Sequence, residues 1–253
     1  MPLRRELRTA LEAADAADRV TLARFKAADL RVDTKSDASP VSDADRAAEQ
    51  AIRSVIAAAH PGDGILGEEF GETGGTGRRW IIDPIDATIN YVRGVPVWGS
   101  LIAMEDADGV AVGVVSAPAL HTRWWASRRG GAWHEARPMQ VSMIDAIGDA
   151  HLSLNSITAA EAAGKHLVAE LSRRCARTRG FGDFWSFMLL AEGAVDVVVE
   201  PMAKVWDLAP LILIVEEAGG RLTDFTGEHT ISGGNAVATN GTLHAEVMTI
   251  LGA

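Results

Sequence analysis

The segment from Trp80 to Thr88 constrains the fold of this chain more than any other part of its sequence. An apolar run that begins at Trp80 and ends in an acidic turn predicts a buried strand. That strand delivers Asp83 to its carboxyl end, which is where ligand sites form in open α/β sheets. Pro84 makes the turn rigid, and Asp86 follows at an expected helix start. The segment therefore predicts an α/β fold with a ligand site at one edge of a sheet.

The oxygen atoms of this turn suit a divalent cation. The turn should leave the carbonyl of Ile85 free to point inward beside the carboxylates of Asp83 and Asp86. Hard oxygen ligands of this kind are the ones that Mg²⁺ prefers. The N–H groups of Ala87 and Thr88, at the start of the expected helix, would face an anion such as phosphate. A plain turn with a helix cap fits the same pattern, and for Asp83 and Asp86 alone that interpretation would be the better one.

Two further acidic positions favour a metal site over a plain turn with a helix cap. Glu68 and Glu69 end a predicted strand that begins at Ile65, and Asp207 follows Trp206 at the start of an apolar helix. Taken alone, the glutamates would form a solvated turn, and the aspartate could be only an N-cap. Three acidic sites that each end a strand or open a helix favour one shared metal site.

The first half of the chain predicts a helix pair followed by a sheet. Apolar residues at helical spacing predict a helix over residues 3–28, and Ser42 is expected to cap a second helix that ends at Ala59. Residues 71–77, which hold four glycines, predict a mobile loop. Turn residues between apolar runs predict hairpins over residues 97–117 and 124–133.

The second half predicts strands that alternate with helices. A capping box formed by Thr158 and Glu161 should open a helix that runs to about Arg174. Further helices are expected over residues 184–192 and 207–218. Helix pairs, a sheet and then alternating elements predict an α/β (α+β) fold with layers in the order α-β-α-β-α. We expect a single domain over residues 1–253, with two sub-regions of about 1–145 and 146–253.

Charge and cysteine content exclude several classes of protein. With 24 Lys and Arg against 34 Asp and Glu, the net charge is −10, which argues against binding to nucleic acid or to anionic membranes. An anionic substrate would then need a metal ion to attract it. A single cysteine, Cys175, excludes an intrachain disulfide framework and a thiolate zinc cluster. No targeting or membrane-spanning segment is apparent, so we expect a cytoplasmic protein.

Three ordered motifs resemble the inositol monophosphatase superfamily. Residues 80–91 are similar to its first signature, residues 67–69 to the G-E-E element before it, and residues 206–220 to its second signature. Within the superfamily, residues 91–98 and 182–186 most resemble actinobacterial-type histidinol-phosphate phosphatases. The resemblance implies the layered sandwich shared with fructose-1,6-bisphosphatases. It also implies Mg²⁺-dependent hydrolysis of a phosphate monoester, with L-histidinol phosphate of histidine biosynthesis as the expected substrate.

The resemblance further implies two or three Mg²⁺ ions per subunit, with Mn²⁺ as an alternative. Glu68, Asp83 and the Ile85 carbonyl would hold the first ion. Asp83, Asp86 and Asp207 would hold the second.

Other roles follow from the same resemblance. Glu68 would share a weaker third ion, with Asp43 as its possible partner through water. Thr88 and Asp45 occupy the positions that orient the attacking water together with Glu68. The amides of Ala87 and Thr88 would bind the phosphate.

Three residues bear on the alcohol that leaves the phosphate. Glu200 ends a predicted strand, and Asp183 precedes a predicted helix that contains Trp185. Two carboxylates near the leaving group suit a cationic alcohol better than a neutral polyol, and Trp185 could stack on an imidazole ring. Alternatively, Asp183 only caps its helix and Trp185 belongs to the core.

The chain departs from the family pattern at two positions. Ala87 replaces a glycine and Ile89 replaces a polar residue or threonine. We expect a helical φ at Ala87, which would keep its amide directed at the phosphate. An inositol-1-phosphate or 3′-phosphoadenosine-type phosphatase is the alternative enzyme, and a non-catalytic member of the family is a third possibility. The tryptophan-rich segment 124–133 predicts a homodimer.

Overall fold

The computed structural model describes residues 3–36, 39–75 and 77–252 of the chain. The helices of these residues are α1 (Arg4–Arg24), α2 (Asp43–Ala59), α3 (Thr88–Val92), α4 (Ile157–Ala162), α5 (Leu167–Arg174), α6 (Asp183–Ala191), α7 (Val205–Glu217) and α8 (His244–Leu251). The first ten strands are β1 (Val32–Thr34), β2 (Pro40–Ser42), β3 (Gly64–Gly67), β4 (Gly71–Thr73), β5 (Arg79–Asp86), β6 (Gly99–Asp106), β7 (Gly109–Ala117), β8 (Thr122–Ser127), β9 (Ala132–His134) and β10 (Arg137–Pro138). The remaining strands are β11 (His151–Leu154), β12 (Arg177–Arg179), β13 (Val197–Glu200), β14 (Arg221–Thr223) and β15 (Ala236–Thr239).

The larger sheet has eight strands in the order β10-β9-β8-β7-β6-β5-β3-β4. Its neighbouring strands are antiparallel except for β3 and β5, which run parallel. Helices α1 and α2 pack side by side on one face. Small buried residues of α1, such as Ala10, Ala13 and Ala17, allow the two helices to approach closely.

The smaller sheet has five strands in the order β12-β11-β13-β15-β14. Strand β11 runs parallel to both of its neighbours, which places the carboxyl ends of β11 and β13 at the same edge. Helices α5 and α8 cover its outer face. Helices α6 and α7 lie between the two sheets.

The resulting layers run helix, sheet, helix, sheet, helix, so the predicted order α-β-α-β-α is confirmed. Helix α7 in the central layer contacts strands of both sheets. All residues from Leu208 to Val215 are buried, because a helix between two sheets has no face that is left to solvent. This burial fixes the amino end of α7, which carries Asp207, against strand β5.

The predicted capped helix and both predicted hairpins are present. Ser42 forms a capping box with Asp45 at the start of α2. The first helix ends at Arg24 rather than at residue 28, because Phe25 is extended and Lys26 has a positive φ of 61°.

Two other expectations are wrong. Residues 71–73 form strand β4, which pairs with β3. The helix expected from Thr158 to Arg174 is broken into α4 and α5, and Ser156 rather than Thr158 provides the cap. Gly164, with a φ of 75°, lies in the break.

None of the helices in the described ranges is both long enough and apolar enough to cross a membrane.

Candidate active site

A bulge at the end of β5 shapes the central turn. Asp83 pairs with Leu101 and Asp86 with Gly99, so two residues of β5 lie opposite the single residue Ser100. The Ser100 hydroxyl donates to the Pro84 carbonyl at 2.7 Å. A bulge re-aims the side chains on either side of it. Here it places Asp83 and Asp86 beside each other instead of continuing the regular ladder.

Three aspartates meet at this bulge. Asp83, Asp86 and Asp207 each contribute a carboxylate oxygen, and these oxygens all lie within 4.8 Å of one another. The N–H of Phe184 in α6 donates to Asp86 Oδ2 at 2.8 Å, and the N–H of Lys204 donates to Asp207 Oδ2 at 2.7 Å. The cluster therefore joins β5 to both helices of the central layer.

Burial makes these carboxylates difficult to ionise together. It raises the pKa of Asp83 and Asp86 well above the usual range, and nearby carboxylates add to the effect. Burial also raises the pKa of Asp207 to about 6. Buried like charges are unfavourable unless a cation neutralises them. An all-oxygen donor set of this kind fits a hard divalent metal ion.

Glu68 approaches the cluster from the turn after β3, where it raises the pKa of Asp83 by charge and by a hydrogen bond. Sequence reasoning assigned no role to Lys35. Its ammonium group lies 2.6 Å from both Glu68 Oε1 and Glu69 Oε1. Burial lowers the pKa of Lys35, but its bonds to these two glutamates outweigh burial and raise it overall.

The structure brings Thr88 and Asp45 together beside the bulge. The Thr88 hydroxyl donates to the Ile85 carbonyl at 2.9 Å and lies 3.4 Å from Asp45 Oδ1. The expectation of a free Ile85 carbonyl is therefore wrong, although a carbonyl oxygen has a second lone pair. Ser42 donates to Asp45 Oδ2 through its N–H and its hydroxyl. Burial raises the pKa of Asp45 to about 6.

Ala87 differs from its expected conformation. Its φ is 64° and its ψ is 47°, so the backbone is left-handed and not helical. Asp86 is still part of β5, and α3 begins only at Thr88, so Ala87 makes the whole reversal between strand and helix. A left-handed conformation costs a residue with a Cβ about 1–2 kcal/mol. The N–H groups of Ala87 and Thr88 occupy N-cap and first-turn positions, which have no partner within a helix.

The hydrogen-bond partner of the Asp43 carboxylate is Arg24. Asp43 Oδ2 accepts a hydrogen bond from Arg24 at 2.9 Å, and its side chain is 38% exposed. Among the described residues, no hydrogen bond links Asp43 to Glu68 or to the three aspartates.

A cleft with two connected pockets opens beside the cluster. The outer pocket, of about 300 Å³, is lined by Glu68, Ala87, Thr88 and Ile89 among others. The inner pocket, of about 50 Å³, contains Asp86, Asp207 and Glu200 in its walls. Asn155 and Asp183 line both pockets and so mark the passage between them.

Two further carboxylates, one buried and one partly buried, face this passage. Glu200 ends strand β13, and Asp183 begins α6 with a strained φ of 48°. Burial raises the pKa of Asp183 to about 6 and that of Glu200 to about 8. The structure thus brings together the two acids predicted to contact the leaving group.

Asn155 was missed by sequence reasoning. Leu154 of β11 is paired with Val199 of β13, so Asn155 and Glu200 lie next along two parallel strands. Asn155 Nδ2 lies 3.5 Å from Asp183 Oδ1, and a hydrogen bond from Asn155 lowers the pKa of Glu200 against the larger effect of burial. Asn155 directly follows strand β11.

Trp185 lies against the core, whereas Ile89 lies at the wall of the outer pocket. The ring of Trp185 packs edge-on against Phe181 at 5.3 Å between centroids and touches the main core. Among the described residues, Trp185 is not part of either pocket wall. Ile89 is 61% exposed at the wall of the outer pocket.

A larger cavity, of about 460 Å³, lies between the β6–β7 turn and the end of α7. Its acidic residues already have partners. Glu105 pairs with Arg79, Glu216 with His229, and Glu217 accepts two backbone N–H bonds. This cavity contains none of the predicted site residues.

The layered fold and the carboxylate-lined cleft fit a metal-dependent enzyme that hydrolyses phosphate monoesters. A family model described as the inositol monophosphatase family matches residues 3–252. The chain therefore belongs to the inositol monophosphatase family, and it is a phosphatase.

Individual relatives agree with this placement. The chain is 53% identical to a histidinol-phosphatase of Mycobacterium tuberculosis, over 98% of each chain. It is 48% identical to a histidinol-phosphatase of Streptomyces coelicolor, over 97% of this chain and 96% of the relative. The crystal structure of the extragenic suppressor protein suhB from Bartonella henselae superposes with a TM-score of 0.90 at 29% identity, covering 96% of this chain and 97% of that one.

Proposed function

We propose that the chain is an Mg²⁺-dependent histidinol-phosphatase of histidine biosynthesis, converting L-histidinol phosphate and water to L-histidinol and phosphate. The observation that carries the proposal is a cleft in which the Asp183–Glu200 pair lies beside the aspartate cluster. The aspartate cluster suits metal ions, and the Asp183–Glu200 pair suits a cationic alcohol. The two relatives named histidinol-phosphatase support the same substrate.

The metal ions are assigned to the residues around the β5 bulge. Glu68, Asp83 and the Ile85 carbonyl would hold one Mg²⁺, and Asp83, Asp86 and Asp207 a second. Mn²⁺ has the same preference for oxygen ligands. The number of ions, two or three per subunit, stays a prediction.

The third ion rests on weaker support. Glu68 and Asp43 were predicted to share it, but Asp43 pairs with Arg24. Since that pair is half-exposed, an ion that contacts Asp43 through water would have to compete with the guanidinium group.

The energetic demand of the reaction favours metal ions. Uncatalysed hydrolysis of phosphate monoesters is so slow that catalysis must lower the barrier by on the order of 20 kcal/mol. Neutral hydrogen bonds contribute about 1 kcal/mol each and cannot supply that amount. When bound, Mg²⁺ supplies the positive charge that stabilises the phosphoryl oxygens and activates water.

The protein's own groups orient the attacking water and the phosphate. The Thr88 hydroxyl, which donates to Ile85, keeps lone pairs that can accept a hydrogen bond from that water. Glu68 can accept the other proton. Asp45, 3.4 Å from the Thr88 hydroxyl, has a pKa raised to about 6, so it can accept the threonine proton near neutral pH when the hydroxyl turns from Ile85 to Asp45. The N–H groups of Ala87 and Thr88 would donate to the phosphate.

Asp183 and Glu200 would recognise the leaving alcohol. Histidinol carries an ammonium group, and hydrogen bonds between charged groups are about twice as strong as neutral ones. Asn155 lies between the two acids and would keep both directed at the passage. Stacking of Trp185 on the imidazole ring stays a prediction, and its ring would have to leave Phe181 to reach the cleft.

Phosphate release is the decisive test. It is measured for L-histidinol phosphate, inositol 1-phosphate and 3′-phosphoadenosine 5′-phosphate, each with Mg²⁺ and with EDTA. We expect Mg²⁺-dependent release with the highest kcat/KM for L-histidinol phosphate. A preference for one of the other substrates would support the alternative phosphatases, and no turnover of any substrate would indicate a non-catalytic member. A cytoplasmic location stays a prediction.

A further inference from the structure

A buried glutamate of α2 supports the turn that carries Glu68. The side chain of Glu49 is fully buried. Its Oε2 accepts the N–H of Glu69 at 2.7 Å, and its Oε1 accepts the N–H of Phe70 at 3.2 Å. Two successive backbone groups that follow Glu68 are therefore fixed by one carboxylate.

The same carboxylate explains why the G-E-E motif begins with a glycine. A Cβ on Gly67 would lie 2.0 Å from Glu49 Oε1. Real Cβ atoms do not approach an oxygen so closely, so any other residue at position 67 would displace the carboxylate. Gly67 is thus required by the packing of Glu49 against the chain.

Arg53 completes the support from one turn further along α2. Its Nε donates to Glu49 Oε1 at 2.7 Å, and the pair is almost completely buried. The guanidinium group also donates to the Thr73 hydroxyl at 3.2 Å and to the Gly71 carbonyl. The ion pair therefore connects the turn after β3 and strand β4 to α2.

We propose that Glu49 is a positioning residue that holds Glu68 toward Asp83. This inference rests on the proposed metal site. Metal binding requires Glu68 and Asp83 to be ionised together, when their charges repel each other, and Lys35 attracts Glu68 from outside. The backbone bonds from Glu49 keep the turn in place against both effects. Groups that orient metal ligands commonly change metal affinity by roughly 10- to 100-fold when they are removed.

The first test variant is Glu49→Gln, which is almost isosteric. With its amide oxygen on Arg53, its NH₂ group would face the N–H of Glu69, so that hydrogen bond is lost. We expect the Mg²⁺ concentration that gives half of the full Tm increase to rise by roughly 10- to 100-fold. At saturating Mg²⁺, kcat for L-histidinol phosphate should stay within a few-fold of wild type, because Glu49 touches no reacting atom.

A second variant tests whether the position of the Glu49 carboxylate matters when its charge is unchanged. Gly67→Ala keeps every charge but displaces the Glu49 carboxylate, and we expect it to weaken Mg²⁺ binding in the same way. Gly67→Ala also tests the proposal if Glu49→Gln does not fold. Thr73→Val and Gln50→Ala are the controls, since the first alters the far end of the hairpin and the second an exposed residue of α2. Both should bind Mg²⁺ like wild type.

Three outcomes would overturn the inference. These are wild-type Mg²⁺ affinity in Glu49→Gln or Gly67→Ala, equal weakening in Thr73→Val, or a loss of kcat that saturating Mg²⁺ does not restore. Wild-type protein whose Tm and activity do not respond to Mg²⁺ would instead contradict the proposed function itself.

Discussion

Ala87 carries a left-handed backbone that glycine would adopt at lower cost. The conformation costs alanine about 1–2 kcal/mol, while glycine loses about 0.5–1 kcal/mol more chain entropy on folding. We therefore expect Ala87→Gly to stabilise the protein by roughly 0.5–1 kcal/mol in urea unfolding. Turnover should be kept, because the amide stays in place. A destabilised Ala87→Gly variant would show that the alanine methyl group makes a favourable contact that outweighs the strain.

Asp183 and Glu200 should determine the preference for a cationic leaving group. A hydrogen bond to a charged group is worth about 1.5–3 kcal/mol. Replacing both acids by alanine should therefore lower the kcat/KM ratio of L-histidinol phosphate to inositol 1-phosphate by roughly a hundredfold, and by less where water replaces the lost contacts. Damage to the shared phosphate end cancels in this ratio. An unchanged ratio would mean that the two acids serve the structure only.

The elements were predictable where local sequence determines them. Ser42 and Asp45 form their capping box within four residues, and the sequence predicted that cap. The β5 bulge was not predictable, because it depends on Ser100 from the neighbouring strand. The positive φ of Ala87 occurs directly after that bulge. Motif resemblance predicted the three aspartates that the fold brings together, while Lys35, Glu49 and Asn155 emerged only from tertiary contacts.

The β8–β9 hairpin underlies the prediction of a homodimer. Trp124 is buried in the chain's own core, while Trp125 and Trp133 stack on each other with 5.4 Å between ring centroids. These two half-buried rings leave apolar surface that a second copy could cover. Light scattering at micromolar concentration should give twice the chain mass of 26.8 kDa, and Trp125→Glu should shift the mass toward the monomer. A monomeric wild-type protein would contradict this prediction.

At the scale of the whole molecule, the acidic cluster makes the metal-free fold sensitive to pH. Burial raises the pKa of Asp45 and Asp207 from 3.8 to about 6, and that of Glu200 from 4.5 to about 8. At a pH between the unfolded-state and the folded-state pKa of each group, the folded state binds more protons than the unfolded state. The free energy of unfolding therefore falls as the pH rises through that interval. His244 acts oppositely, since burial lowers its pKa from 6.5 to about 4. Its contribution to stability is lost only as the pH falls below about 6.5.

We therefore expect the Tm of protein in EDTA to fall from pH 6.5 to about pH 8, where the folded-state pKa of Glu200 lies. Mg²⁺ should raise the Tm more at pH 8.5 than at pH 6.5, because ions that bind only the folded state stabilise it. Glu200→Gln should reduce the decline without Mg²⁺ in the upper part of this range. A metal-free Tm that rises with pH would contradict the raised pKa values.

The prediction of a single domain concerns the two sheets and the helices between them. The eight-stranded sheet and the five-stranded sheet are formed by successive parts of the chain, and α6 and α7 lie between them. One domain over residues 1–253, with sub-regions of about 1–145 and 146–253, stays our proposal for how the chain folds. The active-site cleft depends on both parts, since Asp83 comes from the first and Asp207 from the second.

The most direct test of the account is the turnover of L-histidinol phosphate by Asp83→Asn at saturating Mg²⁺. Asp83 lies at the centre of the carboxylate cluster and is assigned to both metal ions, so its loss should weaken both. We expect kcat/KM to fall by at least about a thousandfold, which corresponds to about 4 kcal/mol of transition-state stabilisation. The variant should stay folded, with a Tm in EDTA at or above that of wild type, because a buried carboxylate has been removed. Turnover like that of wild type would contradict the assignment of the cluster as the catalytic metal site.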